Sequence, residues 1–255
     1  MRSDGDRGVS ETVSFVLIFS LVIASVGTVY AIGVSELEST RDAERVENAQ
    51  RAFDVLADNV LDLFEGAPSR GTEVKIAGAT VRSADDAEMN VTVDPGGGGT
   101  PQSWEYRLSP IVYDVEAGGQ IRLSNGAVLR DSARGSASVV RGTPIVVDDD
   151  QLLLRLVKQE HVGSGAVGGS GTVRIRMATS GPRVFYDEAN PDNHSVRVNV
   201  TSPYTDAWAR HYESLGFSCT EVSAPTAGTP GTTSCTIAGI QRVTIVWTRI
   251  TTSFE

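Results

Sequence analysis

The chain has 255 residues with 32 acidic against 22 basic side chains, a net charge of −10, and Lys75 and Lys158 as its only lysines. This acidic, lysine-poor composition argues against nucleic acid as a partner, because phosphate binding needs clustered positive charge, and it matches a salt-adapted chain, whose dense carboxylates keep it soluble where salt screens ordinary repulsion. The 26 glycines and an aromatic content of 6% fit a loop-rich β domain, and the length leaves room for one sizeable domain or two small ones beside a long helix.

Residues 1–8 set Arg2 and Arg7 against Asp4 and Asp6 and end in Gly8. Residues 12–35 then carry no charge, and as a helix they would span about 36 Å, against roughly 30 Å for the hydrocarbon core of a bilayer. A secretory signal has an apolar core of only about 7–15 residues, so the run reads as a membrane span. Removal near Ala31, where Val29 and Ala31 form a small-residue site, is the secreted alternative. Residues 35–65 continue without proline or internal glycine and favour one unbroken helix. Their apolar positions, Val46, Ala49, Phe53, Leu56, Val60 and Leu63, alternate by three and four residues and form a heptad seam. Gly66-Ala67-Pro68 supplies a stop signal. The seam is expected to be buried, either against the chain's own β domain or in an assembly.

These first sixty or so residues resemble the archaeal type IV pilin-like family. The resemblance rests on Arg7-Gly8 followed by Val9-Ser10-Glu11, the apolar run and its amphipathic continuation. It implies that a prepilin peptidase cuts between Gly8 and Val9 on the cytoplasmic side, and that other pilin-like subunits are partners through the freed helix. Assembly would then draw on Glu11 and on the seam residues Val46, Phe53, Leu56, Val60 and Leu63. Bacterial-type pilins carry an acidic residue at the fifth mature position, whereas Glu11 would be the third. Pairing with a neighbour's amino terminus and a plain carboxylate at the membrane interface both remain open for it.

After Pro68 the periodicity becomes alternating. Strands are expected at 72–81 and 89–93, then a four-glycine loop at 96–99. A β-meander follows at 111–115, 120–124 and 127–130, its last turn marked by Asn125-Gly126, the strongest hairpin dipeptide. Residues 131–138 read as a loop. Further strands are expected at 139–147, 152–162, 172–178, 183–186, 195–201, 218–222 and 241–251. One short helix interrupts them, with Ser202 as N-cap, Pro203 at its first position and Gly216 past its end. Its stripe of Tyr204, Trp208, Tyr212 and Leu215 is read as core packing. The fold class is therefore α+β: a long amino-terminal transmembrane and amphipathic helix, then an antiparallel, sandwich-like β ectodomain. By segments, residues 1–8 are leader, 9–35 the transmembrane and assembly helix, 36–66 its amphipathic continuation and 67–255 the extracellular domain.

Cys219 and Cys235 are the only cysteines, and an isolated pair in an exported domain reads as a disulfide rather than a metal site. Asn90, Asn193 and Asn199 head N-glycosylation sequons. Gly163-Ser164-Gly165-Ala166-Val167-Gly168 matches a dinucleotide fingerprint in form, with Asp187 further on. A strand rather than a helix follows it, so the segment reads as a hairpin loop. Asp148-Asp149-Asp150 suits a turn better than a Ca²⁺ site, and His161, His194 and His211 share no ligand spacing. No catalytic constellation stands out, so no enzyme activity, metal or cofactor is expected. The leading expectation is a minor or adhesive pilin-like subunit of the cell surface, single-pass with its carboxy-terminal domain outside. Its rival is a membrane-anchored extracellular binding domain that never assembles.

Overall fold

The computed structural model describes residues 5–76, 78–115, 119–131 and 137–255, with side chains from residue 12 onward except 35–39 and 41–43. Helix α1 spans Gly5–Phe64. It therefore starts ahead of the expected residue 9 and ends just before Glu65. Its stop is a Schellman turn: the Ala67 N–H donates to Asp62 O at 3.0 Å and the Gly66 N–H to Leu63 O at 3.4 Å, with Gly66 at φ +103°.

The chain divides into two compact units, Met1–Glu44 and Arg45–Glu255. The division falls inside the segment expected at 36–66, because the seam from Val46 onward packs among strands and so belongs with the β unit. In the first unit, Thr12–Val34 is long and apolar enough to cross a membrane, with a mean hydropathy of 2.4 and none of its span buried.

The second unit is α+β, built from the end of α1, two sheets and a short helix. Its strands are β1 (Ser69–Lys75), β2 (Ala79–Ser83), β3 (Glu88–Pro95), β4 (Gln102–Arg107), β5 (Ile111–Val115), β6 (Gly119–Ser124), β7 (Ala127–Asp131) and β8 (Ala137–Arg141). There follow β9 (Val146–Asp148), β10 (Gln151–His161), β11 (Ala166–Gly169), β12 (Thr172–Thr179) and β13 (Arg183–Ser202). Helix α2 (Thr205–Ser214), β14 (Ser218–Ser223) and β15 (Gly231–Phe254) complete it. The larger sheet runs β1-β12-β15-β13-β3-β4, with β10 and β14 also on β15 and β9 on β10; the smaller runs β11-β2-β5-β6-β7-β8. Among the described residues all strand pairings are antiparallel except β10 with β15.

Strand β15 is the hub. Its alternation of Thr, Ile and Val suits a pleated, half-buried surface, yet the buried phase changes along it. Cys235, Ile240, Val243 and Ile245 enter one core, whereas Ile250 enters the other. The register with β10 is unbroken from 245 to 250, so these residues, an odd number apart, lie on opposite faces, whereas the register shifts against β13 between 238 and 242 keep Cys235, Ile240 and Val243 on one side; β15 thus buries one face in its earlier part and the other near its end. β10 does the same, with Leu152, Leu154 and Leu156 in the first core and Val157 in the second.

The first core packs α2 against β3, β10, β13 and β15. The second packs α1 against both sheets: Phe53, Leu56 and Leu63 are fully buried and Val46, Ala49 and Val60 nearly so. Burying each large apolar side chain contributes about 1.5–3 kcal/mol at most. Polar ties flank the seam and fix the helix's rotation. Arg141 pairs with Asp58 and donates to Asp54 O at 3.1 Å, Arg130 donates to Gln50 Oε1 at 3.0 Å, and Arg70 pairs with Asp62 at 2.7 Å. The buried Asn59 amide donates to Thr72 Oγ1 at 2.6 Å.

Several expected elements are displaced for identifiable reasons. The strand expected at 72–81 is two, because Gly78 at φ +90° turns the chain from the larger sheet to the smaller. β12 and β11 make the matching passage beside it, so part of the expected loop at 163–168 is strand β11. The strands expected at 183–186 and 195–201 are one, β13, interrupted by register shifts at Val184/Tyr186 and between Ala189 and Ser195. Ser202 does not cap α2 directly: the N-cap is Tyr204 without a side-chain bond, and Ser202 Oγ accepts the Tyr204 N–H at 3.2 Å. Pro203 accordingly lies before the first helical turn. The aromatic stripe is core packing as expected, with Trp208 and Tyr212 buried and Tyr204 and Leu215 packed beside them.

Candidate functional site

The segment Thr12–Val34 is the most prominent functional feature, because every one of its side chains is exposed. Helix suits it: its backbone groups bond within α1, as a hydrocarbon environment requires. Two of its hydroxyls bond back to the helix backbone in the same way. Ser25 Oγ donates to Val22 O at 2.9 Å and Thr28 Oγ1 to Ala24 O at 2.8 Å. Phe15 and Phe19 stack one turn apart, with ring centroids at 6.1 Å. The side chains of the leader residues Arg7, Gly8 and Val9, and of Glu11, lie outside the described residues; their backbone is in α1.

Of the positions assigned to assembly, Val46, Phe53, Leu56, Val60 and Leu63 are all in the second core. Their apolar surface is consumed within the chain, so they dock the helix on its own β unit. That resolves the choice left open by the heptad pattern. What the same stretch of helix leaves exposed is mainly polar: Glu44, Arg45, Glu47, Asn48, Arg51, Val55 and Asp58.

Cys219 and Cys235 form a disulfide between directly opposed residues of β14 and β15. Cys235 is buried while Cys219 is partly exposed, so the bridge clamps the hairpin onto the first core.

The three sequons differ in setting. Asn90 and Asn199 face each other across β3 and β13. Asn90 Oδ1 accepts from Ser103 Oγ at 3.1 Å, and Asn199 Oδ1 is buried without a partner among the described residues. Asn193 instead stands at the bulge of β13 with φ +64°, followed by the buried His194.

The remaining motifs of the sequence are structural here. β11 is followed by β12 rather than by a helix, and Asp187 is held by Arg242 at 2.7 Å and Thr244 at 2.9 Å. The hydrogen bonds from Arg242 and Thr244 hold its pKa below the usual carboxylate value. Asp148, Asp149 and Asp150 make the turn from β9 to β10, with Asp149 at φ +46°. Among the described residues no three His, Cys, Asp or Glu side chains converge as metal ligands.

Two polar constructions escape a reading by pattern. Arg122 is nearly fully buried, forks onto Asp86 and lies 5.3 Å from the centre of the Tyr204 ring. The Tyr204 hydroxyl in turn donates to Gln120 at 3.1 Å or Asp131 at 3.2 Å, and burial pushes its pKa up to about 12. The other is His211 of α2, whose Nε2 accepts the Thr143 N–H at 3.2 Å. Burial holds its pKa below the ordinary 6.5. The sequence signal for the first was Arg122 itself, a charge between Ile121 and Leu123 in a meander strand. The second had no signal beyond a histidine on a helix.

A family model described as a family of unknown function (DUF7289) matches residues 7–253, so the match runs through the apolar helix and the whole β unit. No curated protein and no solved structure matches the chain.

Proposed function

We propose that this chain, which belongs to the DUF7289 family, is a pilin-like subunit of an archaeal, salt-adapted cell surface. The observation that carries the reading is a fully exposed apolar span, Thr12–Val34, in the same helix whose later turns form the core of a β domain. Such a span is stable only in lipid or against other apolar helices. A prepilin peptidase removes residues 1–8, Val9 becomes the amino terminus, and the span exchanges lipid for the spans of other pilin-like subunits. The β unit, with its disulfide and sequons, faces outward, in the adhesive or minor role expected of a domain this size. The mechanism is assembly rather than catalysis.

One observation favours a second reading. Since Val46 to Leu63 are spent on the β unit, subunit contacts have to come from the first 44 residues and the polar outer face of the helix. A single-pass anchored binding domain needs neither. Mass spectrometry of the mature amino terminus tests the first reading: Val9 is expected, and retention of residues 1–8 leaves the anchored domain in its place.

A further inference from the structure

Where β12 turns into β13, Ser180, Gly181 and Arg183 meet Trp247 and Arg249 of β15 around an open cleft of about 110 Å³. Arg183 stands directly opposite Trp247 across the β13/β15 pair, and Arg249 follows two residues along on the same face. In the parallel neighbour β10, Lys158 is in register with Arg249. One of the two lysines of the chain thus joins two arginines beside one of its three tryptophans. The single carboxylate among them, Glu160, lies 3.3 Å from Lys158 and 3.6 Å from Arg249, and Arg183 is in no ion pair among the described residues. Three cations against one anion form a local positive patch on a chain of net charge −10.

The rim is also preorganised. Thr179 Oγ1 accepts the Gly181 N–H at 3.1 Å and is itself 2.7 Å from Oγ1 of the buried Thr248. Trp247 is half-buried, its inner part packed on the first core. Cleft and rim therefore need no rearrangement to receive a ligand, which lowers the cost of binding.

We infer that this cleft binds an acidic saccharide, a sugar carrying a carboxylate or sulfate. The guanidinium fork of Arg183 or Arg249 matches a planar or tetrahedral oxyanion. The indole offers the electron-rich face against which the C–H bonds of a pyranose ring settle. A simple anion site has no use for the tryptophan, and a neutral-sugar site has no use for the cations. The cleft is smaller than the roughly 300–1,000 Å³ of drug-sized pockets and takes one ring of a longer chain that extends over the surface. The inference is independent of whether the protein assembles into filaments.

The test is calorimetric titration of the full chain in detergent micelles with an oligogalacturonate, a heparin-derived sulfated oligosaccharide, a neutral cello-oligosaccharide and inorganic sulfate. At least one acidic oligosaccharide is expected to bind at least about tenfold more tightly than the neutral one and than sulfate. Arg183→Gln and Arg249→Gln should each weaken that binding about tenfold or more, and Trp247→Leu similarly, with Arg242→Gln unchanged as the control. Melting temperatures of the Arg variants verify folding even if the Trp variant fails to fold. Binding of neither acidic probe, equal affinity for the neutral probe or for sulfate, or indifference to both Arg substitutions overturns the assignment.

Discussion

His211 shows how a single residue ties elements together and brings pH into stability. Its Nε2 accepts from the Thr143 backbone while burial lowers its pKa from 6.5. The folded state therefore holds this proton less tightly than the unfolded chain does, and stability rises with pH between the two values. The contribution is complete above 6.5 and is lost as pH falls from there towards the depressed folded value. Melting temperature should decline on acidification through that window, and His211→Gln should flatten the decline; an equally steep curve for the variant would assign it to other groups. Gly142 completes the contact, since a Cβ there would come within 2.8 Å of His211 Cε1, and Gly142→Ala should lower stability on that account. The same scale ranks the sequons. Opposed Cβ atoms on neighbouring strands are about 4.5–5.5 Å apart, so Asn90 and Asn199 should never carry glycans together, and Asn193 at its bulge should be the occupied site. Glycopeptide mapping that finds Asn90 and Asn199 modified on one molecule would contradict this.

Elements were legible where one periodicity meets one face. The three-four spacing from Val46 to Leu63 gives the packed side of α1 because each of those residues faces the same core, and the meander of β5, β6 and β7 follows from alternation plus Asn125-Gly126. Legibility failed where a strand serves two cores. β15 changes its buried face between Ile245 and Ile250, so only its later part looked like a strand, and β4 was missed because its apolar residues, Trp104 and Tyr106, are few and only partly buried. The cleft of Arg183 and Trp247 was likewise invisible, since only the β13/β15 register joins them. The seam itself is testable. Phe53→Asp replaces a fully buried ring by a carboxylate, and should cost more than the roughly 3–5 kcal/mol of simple truncation. Arg51→Asp loses only an exposed pair with Glu47 at 2.5 Å and should cost less than about 1 kcal/mol. Comparable denaturation midpoints for the two would mean that the helix does not depend on this core. At the hairpin, replacing both Cys219 and Cys235 with Ala should cost about 3 kcal/mol for a loop of this length, read from the same denaturation curves.

At the scale of the whole molecule, the two units place opposite demands on solvent. The β unit has its cores closed and the seam of α1 satisfied, whereas Phe15, Leu17, Ile18, Phe19, Leu21 and Ile23 are each more than half exposed. At about 25 cal/mol per Å² of apolar surface, exposing that segment to water is costly, and the proposed function turns on whether lipid or neighbouring helices cover it. On the proposed reading, the leader is the switch between them. With residues 1–8 attached, Asp4, Asp6 and the two arginines precede the span and oppose its withdrawal from the membrane, because charged groups cross hydrocarbon at a cost of several kcal/mol each. On that reading a cut at Gly8 leaves Val9 as the first residue, and the helix can then leave lipid for a bundle of its own kind. Gly8→Phe should therefore keep the leader, hold the protein in the membrane fraction and abolish both sheared surface material and crosslinks between copies. A variant that matures to the mass of the parent protein would remove the case for a prepilin-type cut. A parent protein that is cut at Gly8 yet is recovered only as an uncrosslinked membrane species would favour the anchored domain, because cleavage would then release nothing into a filament.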